Sequence, residues 1–181
     1  MKALDKRMAI PGPLHELHGK QASIRDLLLN YAAAVIATLI ILHLSRGLSL
    51  SAFKMVILGA LALDLAGGVV SNFTEGTNAY YTEKPGMRYL FIAFHIVQPV
   101  VLIWLFPSEF AGIAIISIYT LIAALAVNRL KEHARQRVYS AFLTVTGLSL
   151  SFLIGEIEPA VHLMLIFFIV KLIMSFAVRW K

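Results

Sequence analysis

The chain has 181 residues, of which 59% are hydrophobic and only 14% are charged. Because about a quarter of the residues of a soluble domain are charged, this composition is that of a membrane protein and excludes an ordinary soluble enzyme. The formal net charge is +6, and the absence of cysteine excludes disulfides, thiolate metal sites and a cysteine nucleophile.

Residues 1–25 form a basic juxtamembrane segment that is predicted to lie on the cytoplasmic side of the membrane. Its first basic residues resemble the start of a secretion signal, but prolines, histidines and charged residues follow where an apolar core is required. No cleavable signal is therefore predicted. We expect the segment to lie at the membrane surface near lipid phosphates, with His15 and His18 as solvated interfacial side chains.

Six apolar segments follow, and each is close to the roughly 20 residues that a helix needs to cross a hydrocarbon layer of about 30 Å. Since lipid offers no hydrogen bonds to backbone groups, such segments are predicted to be helices. We place them at residues 26–44, 50–72, 89–106, 110–127, 138–154 and 159–178. The predicted fold is an all-α integral membrane protein, a six-transmembrane-helix bundle that forms one domain over residues 26–181.

The distribution of Lys and Arg predicts the orientation of this bundle, because cytoplasmic loops are enriched in both residues. The side opposite to the termini holds only Arg46 and Lys54. The side of the termini holds Lys2, Lys6, Arg7, Lys20, Arg25, Lys84, Arg88, Arg129, Lys131, Arg135, Arg137, Arg179 and Lys181. Both termini are therefore predicted to be cytoplasmic in a multi-pass protein of the plasma (inner) membrane. Because these basic residues lack interleaved aromatic residues, no nucleic-acid partner is expected.

Three ionisable residues are predicted to lie at one depth inside the membrane. Asp64 in the second span, His95 in the third and Lys171 in the sixth lie seven or eight residues from the cytoplasmic ends of their helices. A rise of 1.5 Å per residue places them roughly 10–12 Å inside the boundary. Ionisable groups are costly there and are usually functional, so the three are candidate substrate- or ion-binding residues. In the structural alternative, Asp64 and Lys171 only neutralise each other inside the bundle.

The third span carries a further candidate, Gln98, on the same helical face as His95. Pro99 follows at once, and a proline inside a helix frees the carbonyl four residues earlier, which here belongs to His95. That carbonyl is expected to be a further ligand of the site.

Three more polar candidates lie at the end of the second span and beyond it. Asn72 and Glu75 continue the helical stripe that begins at Asp64, and Asn78 follows in the polar stretch 72–88. This stretch is interpreted as a loop that either caps the cavity or binds a lipid headgroup; the alternative is a polar turn with interfacial tyrosines.

The favoured function is a small transporter or permease for an ion, a proton or a small polar or anionic solute. Asp64 and His95 would bind the solute, and Lys171 would balance Asp64 or bind an anion. An alternative is an integral membrane enzyme that acts on a lipid headgroup, with Asp64 and His95 as an acid–base pair or as weak metal ligands. A catalytic zinc needs about three protein ligands, and only these two good candidates share the layer. No cofactor is identified.

A third hypothesis is a binding or scaffold protein that partners another membrane component. Ala33 and Ala37 give the first span a small-residue face suited to docking of a second copy or of a partner subunit. In size, six spans, cytoplasmic termini and this alanine face, the chain is similar to the substrate-binding subunits of energy-coupling-factor vitamin transporters. The similarity is architectural and carries no specific motif, and it implies an ATPase module as partner.

Overall fold

The computed structural model describes residues 4–130 and 133–180, which form a helical bundle with a small β-hairpin at one end. Strands β1 (Arg7–Ala9) and β2 (Gln21–Ser23) pair in antiparallel register. The helices are α1 (His15–His18), α2 (Ile24–Leu44), α3 (Ala52–Phe73), α4 (Glu75–Glu83), α5 (Pro85–Phe94), α6 (Val97–Leu105), α7 (Phe110–Arg129), α8 (His133–Leu153) and α9 (Pro159–Ile169). Short 3-10 turns cover Gly12–Leu14 and Pro107–Glu109, and a π-helical segment, Val170–Phe176, continues α9.

Five helical stretches of the described residues are long and apolar enough to cross a membrane: Ile24–Leu44, Ala52–Phe73, Pro85–Leu105, Pro107–Arg129 and Pro159–Phe176. The protein is therefore an all-α membrane bundle. Helix α8 covers the fifth predicted span and has 21 residues, but Arg135, Gln136 and Arg137 near its start lower its hydropathy, and it falls outside this set. The sixth span and the orientation stay predictions. Part of the predicted topology signal, Lys2, Lys131 and Lys181, lies outside the described residues.

The C-terminal helix is the centre of the bundle. In Pro159–Phe176, 61% of the apolar stretch is buried inside the protein, compared with 28% for Ile24–Leu44 at the periphery. The buried side chains include Met164, Leu172 and Ile173, all 0% exposed. Because this helix contacts α2, α3, α7 and α8, a polar residue on it lies inside the protein and away from lipid.

Helix α2 packs along α3 through small residues. Ala34 and Ala37 are 4% and 6% exposed, and a side-chain carbon added at Gly67 of α3 would lie 3.3 Å from the Cβ atom of Ala34. Close helix contact through small residues is the usual packing mode in membranes. Contacts inside the chain thus use part of the Ala33/Ala37 face, and the docking of a partner there stays a prediction.

The third predicted span is broken at its middle, between α5 and α6. Helix α5 ends at Phe94 with His95 as its C-cap, and α6 begins at Val97, two residues before Pro99. A proline lacks the N–H group for the helical hydrogen bond and its ring displaces the preceding turn, so a helix kinks at this position. The break therefore lies at the position that Pro99 predicts. It separates the two helices, α5 and α6, that form one wall of the site described below.

The stretch 72–88 was expected to be a loop, and that expectation is wrong for residues 75–83, which form helix α4. The Oγ1 atom of Thr74 accepts a hydrogen bond from the backbone N–H of Thr77 at 3.4 Å and caps the helix. Tyr80 and Tyr81 are buried on the inner face of α4, at 7% and 1% exposure. Their burial stabilises this helix, which the polar composition of the stretch did not predict.

The N-terminal hairpin docks on the corner between α3 and α4. The carbonyl of Leu17 accepts hydrogen bonds from the hydroxyls of Ser71 and Thr77, the latter at 3.0 Å. Gly19 has a φ of +73°, and a side-chain carbon there would overlap the backbone of Gly76, so the two segments touch backbone to backbone. The hairpin is thus an integral part of this end of the bundle.

His18 is not solvated, which corrects the interpretation made from the sequence. It is 3% exposed, its Nε2 atom lies 2.9 Å from the Tyr31 hydroxyl, and burial lowers its pKa. His15 is half-buried, and its Nε2 atom lies 2.7 Å from the Ile10 carbonyl. Both imidazoles therefore serve to fix the hairpin, a role that local sequence does not reveal.

Candidate functional site

A buried lysine reaches from the central helix to the second span. The Nζ atom of Lys171 lies 3.0 Å from each carboxylate oxygen of Asp64 and 3.1 Å from its backbone carbonyl. Lys171 lies in the π-helical segment, and such widened turns are frequent at functional sites. The two residues that were predicted to share one depth therefore form an ion pair.

Gly68 makes this contact possible. The lysine side chain crosses α3 at Gly68, where an added side-chain carbon would lie 2.8 Å from the Nζ atom and 2.9 Å from the Cδ atom of Lys171. No other residue type leaves the lysine in this position. The glycine therefore serves the approach of a side chain, in addition to any role in helix packing.

The two partners of the ion pair differ in their surroundings. The Lys171 side chain is 2% exposed, whereas the Asp64 side chain is 48% exposed. Each carboxylate oxygen accepts more than one hydrogen bond, so the outward side of Asp64 keeps capacity for a further donor. The pair is thus closed on the lysine side and open on the aspartate side.

Gln98 and His95 complete the polar group around Asp64. Gln98 donates a hydrogen bond from its Nε2 atom to the Asp64 carboxylate. The Nδ1 atom of His95 lies 2.7 Å from the Phe91 carbonyl, which requires a proton on Nδ1 and leaves Nε2 as an acceptor in the neutral ring. Neither His95 Nε2 nor Gln98 Oε1 has a hydrogen-bond partner among the described residues. These two atoms and the carboxylate form a set of acceptors with unused capacity.

The polar group forms one wall of a cavity of about 480 Å³ between α3 and the kinked pair α5–α6. Volumes of 300–1,000 Å³ are typical of small-molecule sites. Asp64, His95 and Gln98 supply the polar wall. The apolar wall consists of Leu17, Met87, Leu90, Phe91, Phe94 and Val97. The cavity thus combines a small polar region with a large apolar one.

The end of the cavity near the N-terminal hairpin carries Glu16 and Tyr81. Burial raises the pKa of Tyr81, and the neighbouring Glu16 carboxylate raises it further, so the phenol stays neutral. The Tyr81 hydroxyl has no hydrogen-bond partner within residues 4–130 and 133–180. This end therefore adds one exposed carboxylate to the cavity, next to a phenol whose hydroxyl is buried.

Asn72 and Asn78 lie apart from the cavity and hold the corner between α3 and α4. The Nδ2 atom of Asn78 donates to the carbonyls of Asn72 at 2.7 Å and Thr74 at 3.1 Å. Its Oδ1 atom accepts from the backbone N–H of Trp180 at 3.2 Å. Asn72 is 4% exposed, and its Nδ2 atom has no partner among the described residues. These contacts also tie the C-terminus to the hairpin end of the bundle.

Glu75 lies on the surface, where it forms an ion pair of 2.5 Å with Arg7 of the hairpin. A second exposed pair, Lys20 with Glu83 at 2.6 Å, lowers the pKa of Glu83. Exposed pairs of this kind contribute little to stability, because water screens their charges. Glu75 therefore fastens the hairpin to α4 and is not brought to the Asp64 cavity.

The sequence reasoning missed the residues at the hairpin end of the cavity. Glu16 was taken only as a residue that interrupts an apolar core, and Tyr81 as an interfacial anchor. A helix predicted over residues 75–83 would have placed Tyr81 on its inner face.

Comparison of the chain with protein-family models, curated proteins and solved structures found no match. Within the described residues, no group of three or more His, Cys, Asp or Glu side chains is placed to hold a metal ion. The class of protein is therefore defined by the fold: an all-α membrane bundle with an ion pair beside a lateral cavity.

Proposed function

We propose that this protein is a small membrane transporter for an ion, a proton or a small polar solute, and that the solute binds at Asp64, Lys171, Gln98 and His95. The observation that supports the proposal is the position of Asp64. Its carboxylate pairs with a lysine that is 2% exposed and also faces a cavity of about 480 Å³. A pair needed only for packing would be enclosed on both sides.

The ion pair lowers the cost of an empty site. An isolated charge inside a membrane is expensive, and an aspartate beside a lysine is formally neutral. A solute that donates hydrogen bonds to Asp64, His95 and Gln98 binds beside an ion pair whose two charges already neutralise each other. Binding and release then require smaller changes in energy than they would at a lone carboxylate.

The kink and the π-helical segment provide two places where the site can change shape. The interruption at His95 joins α5 and α6, and Lys171 lies in the π-helical turn of the opposite wall. Discontinuous helices at a binding site are a recurrent device of secondary transporters. In this proposal a rotation of α6 about the kink changes the access to Asp64.

The orientation of the bundle forms part of the proposal. The hairpin, α4 and the C-terminus lie at one end, as the contacts of Leu17 and Asn78 require. The predicted excess of Lys and Arg assigns this end to the cytoplasm, with α8 as the sixth span. The cavity then opens on the cytoplasmic half of the membrane, and the substrate enters from that side.

Electrical recording on proteoliposomes tests this function. The purified protein is adsorbed on a solid-supported membrane, and concentration jumps of protons, Na⁺, K⁺, small amines and small carboxylates are applied in turn. At least one solute is expected to produce a saturable current. The double variant Asp64→Asn/Lys171→Met is expected to abolish that current, because it removes the charged site without leaving either partner alone.

The matched control is Glu109→Gln, which removes a half-buried carboxylate outside the cavity and is expected to leave the current unchanged. A wild-type current in the double variant would contradict the proposal. So would the absence of current for every solute of the panel with correctly folded protein.

A further inference from the structure

The polar wall of the cavity offers acceptors and lacks donors. His95 is 5% exposed and lines the cavity, and its Nε2 atom is enclosed in the wall without a partner in the described part of the chain. The Oε1 atom of Gln98 is in the same state. The amide nitrogen of Gln98 and the ammonium of Lys171, in contrast, are both bound to Asp64. Unpaired buried acceptors are costly, so this wall is complementary to a ligand that brings hydrogen-bond donors.

The charges of the cavity favour a cation. Glu16 and Asp64 line it, and no lysine or arginine does. Lys171 lies behind Asp64 and compensates one of the two carboxylates. Glu16 has no ion-pair partner within residues 4–130 and 133–180. One positive charge therefore neutralises the cavity, whereas an anion would meet two carboxylates without a free cationic partner.

The remaining walls favour an amphiphile. Phe91, Phe94 and Tyr81 line the cavity together with aliphatic side chains. Phe94 is 68% exposed and Leu90 is 60% exposed, so the cavity opens sideways between α3 and α5, toward the surface that a membrane would cover. Aromatic faces attract cations, and apolar walls bind alkyl chains. A hydrated inorganic ion would use none of this surface.

We infer that the cavity binds a small amphiphilic organic cation, a primary alkylammonium, whose N–H groups donate to the Asp64 carboxylate and whose alkyl chain lies along Phe91 and Phe94. Once the side chains of the wall rotate, the same N–H groups also reach the enclosed acceptors His95 Nε2 and Gln98 Oε1. The ammonium supplies three donors, which match the three acceptors with unused capacity. Lys171 keeps its place on the inner side of the carboxylate. This ligand is also the substrate class of the proposed transporter. Its binding is inferred from the cavity alone, whereas its transport rests on the proposed function.

Equilibrium dialysis of the full chain in phosphatidylcholine nanodiscs tests the inference, with radiolabelled n-hexylammonium as the probe. Empty nanodiscs correct for partition into lipid. Hexylammonium is expected to bind saturably, and hexanoate is expected to show no saturable binding. Hexyltrimethylammonium carries the same charge but no N–H donor and is expected to bind about tenfold more weakly, as befits the loss of charge-assisted hydrogen bonds.

Three variants locate the site. The double variant Asp64→Asn/Lys171→Met is expected to weaken hexylammonium binding by about tenfold or more, because its carboxylate acceptor is gone. The substitution Glu16→Gln, at an exposed position, is expected to weaken binding by a few-fold through charge alone. Glu109→Gln, outside the cavity, is the matched control and is expected to bind as the wild type does.

Saturable binding of hexanoate, equal binding of hexyltrimethylammonium, or unchanged binding by both cavity variants would overturn the inference. Binding of hexylammonium without any current in the electrical recordings would refute the transport function and leave the ligand class standing. A current that depends on Asp64, together with no binding of hexylammonium, would leave transport standing and refute the ligand class.

Discussion

Replacing Asp64 by asparagine is expected to lower the free energy of unfolding by about 3 kcal/mol, because it leaves the ammonium of a buried lysine without its carboxylate. Lys171→Met is expected to cost less, about 1 kcal/mol, because the carboxylate that remains is 48% exposed and can be solvated through the cavity. The double variant is expected to be close to Lys171→Met, since it contains no unpaired charge. Unfolding of each variant in mixed micelles, followed by circular dichroism, measures these differences.

The relative losses in unfolding free energy of the three variants test whether the site is open at Asp64. An ion pair enclosed on both sides would give similar costs for the two single substitutions. A pair that contributes nothing would give single costs that add in the double variant. Either result would contradict a site that is closed at Lys171 and open at Asp64.

The substitution Gly68→Ala is expected to displace Lys171 from Asp64 and to abolish the solute current. The added carbon would lie within 3 Å of the Nζ and Cδ atoms of the lysine, so the end of this buried side chain must move from its present position. We expect a loss of about 2 kcal/mol in the free energy of unfolding, in the range seen when extra carbons enter a packed core.

Gly59→Ala on the same helix is the matched control. Its added carbon would meet Thr38 and Leu42 at 3.8 Å, an ordinary contact distance. The control is therefore expected to leave stability, current and binding unchanged or slightly improved, since alanine favours helix more than glycine does. Equal behaviour of the two alanine variants would show that Gly68 serves helix packing only.

The pairing of Asp64 with Lys171 could be predicted from the sequence because a few ionisable residues stand out in an apolar chain. Counting residues from the helix ends places them at one depth, and opposite charges at one depth have strong reason to meet. The same argument brought in His95 and Gln98. The all-α membrane bundle followed from composition and from the lengths of the apolar segments.

The positions of Glu75 and Asn78 could not be predicted in this way. Glu75 became a candidate because it continues the polar stripe of α3, and Asn78 because it lies in the polar stretch 72–88. The chain, however, turns at Thr74 and begins a new helix. The turn directs Glu75 to the hairpin and Asn78 to the C-terminus. The cap at Thr74 and the burial of Tyr80 and Tyr81 both support that turn.

Arg88 illustrates a second limit of counting charges. It was assigned to the topology signal at the membrane edge, but it is 2% exposed and donates to the Phe176 carbonyl at 2.8 Å. Its guanidinium carbon also lies 5.1 Å from the centre of the Phe176 ring. An arginine that anchors two helices and one that marks the cytoplasm look alike in a sequence.

Cysteine accessibility tests most directly the proposal that the cavity beside Asp64 is reached from the cytoplasmic side. The chain has no native cysteine, so Val97→Cys places a single thiol on the cavity wall, at a position 45% exposed. Ile122→Cys, on α7 at a position 63% exposed outside this cavity, is the lipid-facing control. Thiols react as thiolates, and an apolar environment suppresses that form.

We expect a membrane-impermeant cationic thiol reagent, added on the side of the termini, to label Val97→Cys much faster than Ile122→Cys. Hexylammonium is expected to slow the labelling of Val97→Cys. Equal labelling of the two thiols, or labelling of Val97→Cys only from the opposite side, would contradict the proposal.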